Sequence, residues 1–193
     1  MKSVLAPTTT VSPILIDEPG LGRLQTWALP TDENSLWMLI EEIFQGYWQE
    51  ILFGTCVPGA VWEVRAPNAP TRISLLDGYL TVDFGPWHFH LCIGEFSGAT
   101  PELAALRRTG RAELYRILNE QGKPKSWGVR LFTVAGDQQM TVFLPNPFLD
   151  AEGHLAAEPD WSKLAAWDAL RASFLDLPPD PFDRTASGLV CGG

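Results

Sequence analysis

The sequence predicts an α+β fold, a mostly antiparallel sheet of five or six strands with helices packed on one face. Three observations point there. Apolar residues after Asp32 fall three or four apart, which is helical spacing. From Ala60 to Glu95, and again from Trp127 to Leu144, the period is two. The pairs Asp77-Gly78 and Gly136-Asp137 sit between such period-two runs, where hairpin turns belong.

Taken in order, residues 1–30 carry Pro7, Pro13, Pro19 and Pro30 among Thr, Ser and Gly, and read as an extended arm with a short apolar patch at Ile14, Leu15 and Ile16. A first helix is expected from a Thr31 or Asp32 cap to a stop at Gly54, burying Leu36, Leu39, Ile40, Ile43, Tyr47 and Ile51. Val61 to Arg65 is a candidate strand. A two-residue turn at Asp77-Gly78 would set Leu76 against Tyr79, Ser74 against Thr81 and Arg72 against Asp83. One face of that hairpin is then apolar (Ile73, Leu75, Leu80, Val82, Phe84) and the other polar. After Gly85-Pro86 the next strand, Trp87 to Ile93, places Phe89 and Leu91 on one side and His88, His90 and Cys92 on the other.

Thr100-Pro101-Glu102 announces a second helix, expected to run to about Gln121 and to end at Gly122 and Pro124. On that helix Leu103, Leu106, Leu114 and Leu118 would face the core and Arg107, Arg108, Arg111 and Arg116 would lie elsewhere. Trp127–Thr133 and Gln138–Leu144 form another hairpin, stopped by Pro145-Asn146-Pro147. A third helix, Pro159 to Leu175, buries Trp161, Leu164, Trp167, Leu170 and Phe174. The domain reading is an arm over 1–30, a single α+β domain over 31–177 and a flexible tail over 178–193.

Composition excludes several classes. With 14 basic and 23 acidic residues the net charge is −9, which repels phosphate backbones and anionic lipid, so nucleic acid and membrane are not expected partners. The 46% apolar fraction, with 8 Trp and 10 Phe, is too high for a disordered chain. Neither a signal-peptide core nor a run of ~20 apolar residues is present. Three cysteines without CxxC spacing do not make a disulfide framework. The expected setting is the reducing cytoplasm.

Chemistry concentrates at His88-Phe89-His90-Leu91-Cys92. Alternate residues of a strand project to one side about 7 Å apart, and two imidazoles there can converge on one metal at ~2.1 Å. The expected ligand set is His88 and His90, with Cys92 or Asp83 as a further ligand or orienter. If Gly85-Pro86 is a two-residue turn, Asp83 lies opposite His88, Thr81 opposite His90 and Tyr79 opposite Cys92. Nitrogen and sulfur donors suit zinc, iron or copper, as a bare ion or as part of a metallocofactor. The same residues permit a metal-free alternative. Cys92 would be the nucleophile, His90 its base, and Arg72, Arg130 or Tyr79 the groups holding a small anionic substrate. A third possibility is a non-enzymatic module whose aromatic surface docks a protein. Against all of these, an aromatic-rich strand can hold a hydrogen-bonded histidine pair and a buried cysteine for packing alone.

Lesser candidates are His154, which a loop could return to the sheet as a third nitrogen ligand, the Arg107, Arg108 and Arg111 run, which could receive an anion, and Cys191 in a terminal Gly-rich segment. Glycine-rich phosphate loops and a Gly-x-Ser-x-Gly elbow are absent. The segments Trp87–Gly94, Ser126–Phe132 and Thr141–Asp150 together resemble an uncharacterised family of small bacterial proteins, over the middle third to half of the chain. That resemblance implies a bacterial origin and no particular activity.

Overall fold

The structure is a computed structural model that describes residues 11–57 and 59–187. Its main layer is a six-stranded antiparallel sheet, formed by β1 (Ile14–Glu18), β2 (Gly22–Leu29), β3 (Leu52–Gly54), β9 (Thr109–Leu118), β10 (Pro124–Thr133) and β11 (Gln138–Phe143), in the order β1-β2-β9-β10-β11-β3. A separate three-stranded sheet has the order β6 (Arg72–Leu76), β7 (Tyr79–Asp83) and β8 (His88–Cys92). A small ribbon, β4 (Cys56–Val57) with β5 (Ala60–Val61), lies between them in sequence. The helices are α1 (Glu33–Gly46), α2 (Pro101–Arg107) and α3 (Ala165–Leu175), the last preceded by a 3₁₀ turn at Trp161–Leu164. The α+β class and the mostly antiparallel six-stranded sheet are those the sequence predicts.

One core joins these layers. Trp27, Leu114, Val129, Leu131 and Val142 of the large sheet pack with Leu36, Ile40, Ile43 and Phe44 of α1, with Trp167 and Leu170 of α3, and with Leu80, Val82, Phe84 and Leu91 of the small sheet. Aromatic edges weld the join, with Phe44 4.8 Å from Phe53 and 5.2 Å from Phe89, and Trp27 5.5 Å from Trp167. The small sheet is thus docked by its apolar face, and its polar face turns outward.

Helix α1 starts where its cap allows: the Asp32 carboxylate accepts from the Ser35 N–H at 3.0 Å. It ends at Gly46 and not at Gly54. Ile51 is buried as expected, but from the connection into β3.

Three further expectations are corrected. Residues 14–29 are not an arm but the hairpin β1–β2, which extends the large sheet through β2 against β9. Its turn residues Gly20 and Gly22, both at positive φ, close the hairpin that the prolines obscured. The second helix stops at Arg107, and the chain continues as the strand β9, an interior strand of the sheet paired with both β2 and β10. Leu103 and Leu106 of α2 are exposed, whereas Leu114 and Leu118 are buried as strand residues. The tail is partly structured: Pro181–Arg184 forms a 3₁₀ turn, and Asp183 within it is fully buried. The first ten residues of the expected arm, and Cys191 in the tail, lie outside the described residues.

Candidate functional site

The register around His88 and His90 follows from turn chemistry. Asp77 and Gly78 both adopt positive φ, 48° and 76°, and set Leu76 opposite Tyr79. At the second turn Gly85 takes φ 92°, the Asp83 carboxylate accepts from the Gly85 N–H at 2.8 Å, and the Phe84 N–H donates to the Trp87 carbonyl at 3.0 Å. Asp83 therefore faces His88, Thr81 faces His90 and Tyr79 faces Cys92, the pairing the sequence predicts.

On the outward face the two imidazoles are exposed and adjacent, with ring centres 4.8 Å apart and planes at 71°. His90 Nδ1 is 2.8 Å from the Thr81 hydroxyl. When Thr81 accepts from an Nδ1–H, the neutral ring carries its lone pair on Nε2.

The other expected site residues divide. Asp83 is close to the pair but committed to the turn, and Arg72 approaches its other oxygen at 3.7 Å. Arg72 is itself well exposed on the same small sheet. Cys92 is buried, and its thiol hydrogen-bonds the Gly94 carbonyl at 3.8 Å. Burial pushes the Cys92 thiol above the usual range, while the Tyr79 side chain and the Arg107 and Arg108 charges act the other way. That direction is the reverse of what an activated nucleophile needs. Half-buried Tyr79 packs edge-on against Phe96, with ring centres 5.1 Å apart. Among the described residues no group of three or more His, Cys, Asp or Glu is gathered that could hold a metal ion, so His88, His90, Cys92 and Asp83 do not form a four-ligand set.

Arg130 is elsewhere. It lies on β10, across from Glu113 of β9, on the face of the large sheet opposite Val129 and Leu131. It is 2% exposed, and its guanidinium donates to Glu113 and, at 2.8 Å, to Glu18. Fully engaged and buried, it is not available to an anion beside His90. Arg111 stacks 3.6 Å over Phe132 and pairs with Glu113, and Arg108 pairs with Glu95 at 2.9 Å. His154 is exposed in its loop, its ring 3.7 Å from Asp150.

Two features were not foreseen. The first is an open groove of about 290 Å³ between β8 and the β3–β5 region, lined by Phe53, Trp62, Val64, Trp87, Phe89 and Met140 together with His90. Its apolar residues are scattered from 53 to 140, with no local pattern to gather them. The second is a buried ionic cluster around Asp183. The Asp183 carboxylate accepts from the indole N–H of Trp127 at 3.0 Å and of Trp167 at 2.9 Å, and from Arg116. Arg116 also reaches Gln25 at 2.7 Å and Asp180 at 3.2 Å. Arg116 and Arg171 both lie over the Trp27 ring, at 5.0 and 5.3 Å.

Fold and site together define an α+β protein in which a docked three-stranded sheet presents a solvent-facing histidine pair beside an aromatic groove. The chain belongs to a family of unknown function (DUF7676), whose pattern matches residues 13–176. No curated protein matches it. Among solved structures it is similar to protein AGR_C_4470 from Agrobacterium tumefaciens, at 18% identity and a TM-score of 0.49, covering 77% of this chain and 71% of that one. It is also similar to the heme-binding protein ChuX, at 15% identity and a TM-score of 0.47, covering 77% of this chain and 76% of that one. Likenesses of this grade assign no function, which is left to the chain's own residues.

Proposed function

We propose that this protein binds a transition metal, as an ion or within a small metal-bearing cofactor, through His88 and His90. The observation that carries the proposal is the place of His90. It belongs both to the imidazole pair, with its Nδ1 held by Thr81, and to the lining of the aromatic groove. A ligand seated there has nitrogen donors for a metal and apolar surface for an organic body. The chain supplies two donors, so the remaining coordination positions are filled from outside it. Zinc, copper and iron are the metals such donors favour.

The test uses protein freed of any purification tag. Equilibrium dialysis against zinc chloride or copper sulfate, followed by elemental analysis, is expected to give stoichiometric metal on the parent chain. A His88→Ala, His90→Ala double variant should weaken that binding by more than about 100-fold. Equal binding by the double variant would overturn the proposal.

A further inference from the structure

β8 is the outer strand of the small sheet, and part of its free edge is unused. The Phe84 N–H donates to the Trp87 carbonyl and the Ile93 N–H to the Gly78 carbonyl at 2.9 Å, so Trp87, Phe89, Leu91 and Ile93 bond toward β7. His88, His90 and Cys92 therefore turn their main-chain groups to the open side. The Cys92 carbonyl is capped there, by the Thr109 hydroxyl at 3.0 Å and the Gln139 amide at 3.4 Å. The N–H and C=O groups of His88 and His90 have no partner among the described residues. Val57, Val61 and Trp62, all about half exposed, lie in or beside the neighbouring ribbon, and Trp62 also lines the groove.

We infer that a second copy of this chain occupies that edge, pairing β8 with β8 antiparallel about a two-fold axis through Phe89, and that the two copies share one metal held by four imidazoles. The inference rests on the metal-binding proposal above. In this register His88 faces the second copy's His90 and each pair exchanges both of its main-chain hydrogen bonds, which satisfies every unused group on the edge. Pro86, which has no N–H to donate, falls opposite the second copy's Cys92, whose carbonyl is already taken. The chemistry of the ends thus agrees with the chemistry of the middle.

Side chains follow the same symmetry. His88 and His90 from both copies would stand on one face at the corners of a rectangle about 5.5 Å across the strands and about 7 Å along them. Each chain holds two donors at a spacing that suits one metal, and a nitrogen-only site for zinc or copper asks for four.

The experiment is a copper(II) titration of the full, tag-free chain, read by sedimentation equilibrium and by electron paramagnetic resonance. The expected result is saturation at one copper per two chains, a doubling of mass, and superhyperfine structure from four nitrogens. All three should vanish in the His88→Ala, His90→Ala variant and persist in His154→Ala. Copper bound at one per chain, at monomer mass and with two nitrogen donors, would overturn the shared site and leave the metal-binding proposal standing. No copper bound, or binding unchanged in the double variant, would overturn both.

Discussion

The His88–His90 pair and the Asp183 cluster are both polar clusters built on sheets, yet they differ in what they leave free. Around Asp183 a fully buried carboxylate takes two indole N–H groups and Arg116, and Arg116 also donates to Gln25 and Asp180, while Arg171, 3.8 Å away, keeps Nε and Nη1 buried without a hydrogen-bond partner among the described residues. Around His90 only one ring nitrogen is engaged among the described residues, the neighbouring imidazole is 4.8 Å away, and both face solvent. Burial, with the Asp183 carboxylate taken up by three donors, marks the first as a structural keystone. Exposed ring nitrogens mark the second as the place where the proposed metal would bind.

The largest effect that bears on this contrast is the loss of the keystone. Asp183→Ala leaves Arg116 and two indole N–H groups buried without their acceptor, and breaking a buried pair by removing one partner costs about 3–5 kcal/mol. Urea unfolding should show that loss, with Asp183→Asn falling between the variant and the parent because an amide oxygen still accepts from an indole. A change below about 1 kcal/mol in Asp183→Ala would mean that the cluster does not hold the C-terminal segment to the sheet.

The same contrast explains what the sequence reveals. The register of the β6–β7–β8 sheet was legible, because Asp77-Gly78 and Gly85 fix its turns and only one of its faces is buried, so alternation survives. β9 was not. Both of its faces are covered, so Glu113, Tyr115 and Arg116 are buried alongside Ala112 and Leu114, and period two disappears. The well-formed Thr100-Pro101 start then invites a helix that ends after seven residues. Arg116, expected on a solvated helix surface, is 3% exposed because Asp183 reaches it across 67 residues of chain. No local signal carries a pairing of that range. The histidine pair was legible for the same reason as its sheet. The groove was not, since Trp62 and Met140 meet only in three dimensions.

A smaller effect sharpens the open side of the comparison. Thr81 orients His90 without touching a ligand, so Thr81→Val should weaken metal binding by about tenfold while leaving unfolding free energy nearly unchanged. Thr81→Ser, which keeps the hydroxyl, should restore most of that affinity. If Thr81→Val binds metal as the parent does, the hydroxyl does not set the ring's tautomer and the free nitrogen is chosen by the ligand.

The smallest effect belongs to Cys92, which stands on the same strand as the histidines but on the sealed side of the divide. Burial raises its thiol above the ordinary value, with Tyr79, Arg107 and Arg108 opposing, so the folded chain holds that proton to higher pH than the unfolded chain, whose thiol ionises near ~8.5. Between those two values the native state binds more protons than the unfolded state, and stability falls as pH rises. The contribution is fully present below about pH 8.5 and disappears as pH climbs through the folded value. Cys92→Ala should flatten that part of the alkaline stability profile. In the parent, alkylation of Cys92 should lag behind that of a free thiol at every pH up to that range. Rapid alkylation at neutral pH would place Cys92 with the open cluster and would return it to candidacy as a nucleophile beside His90.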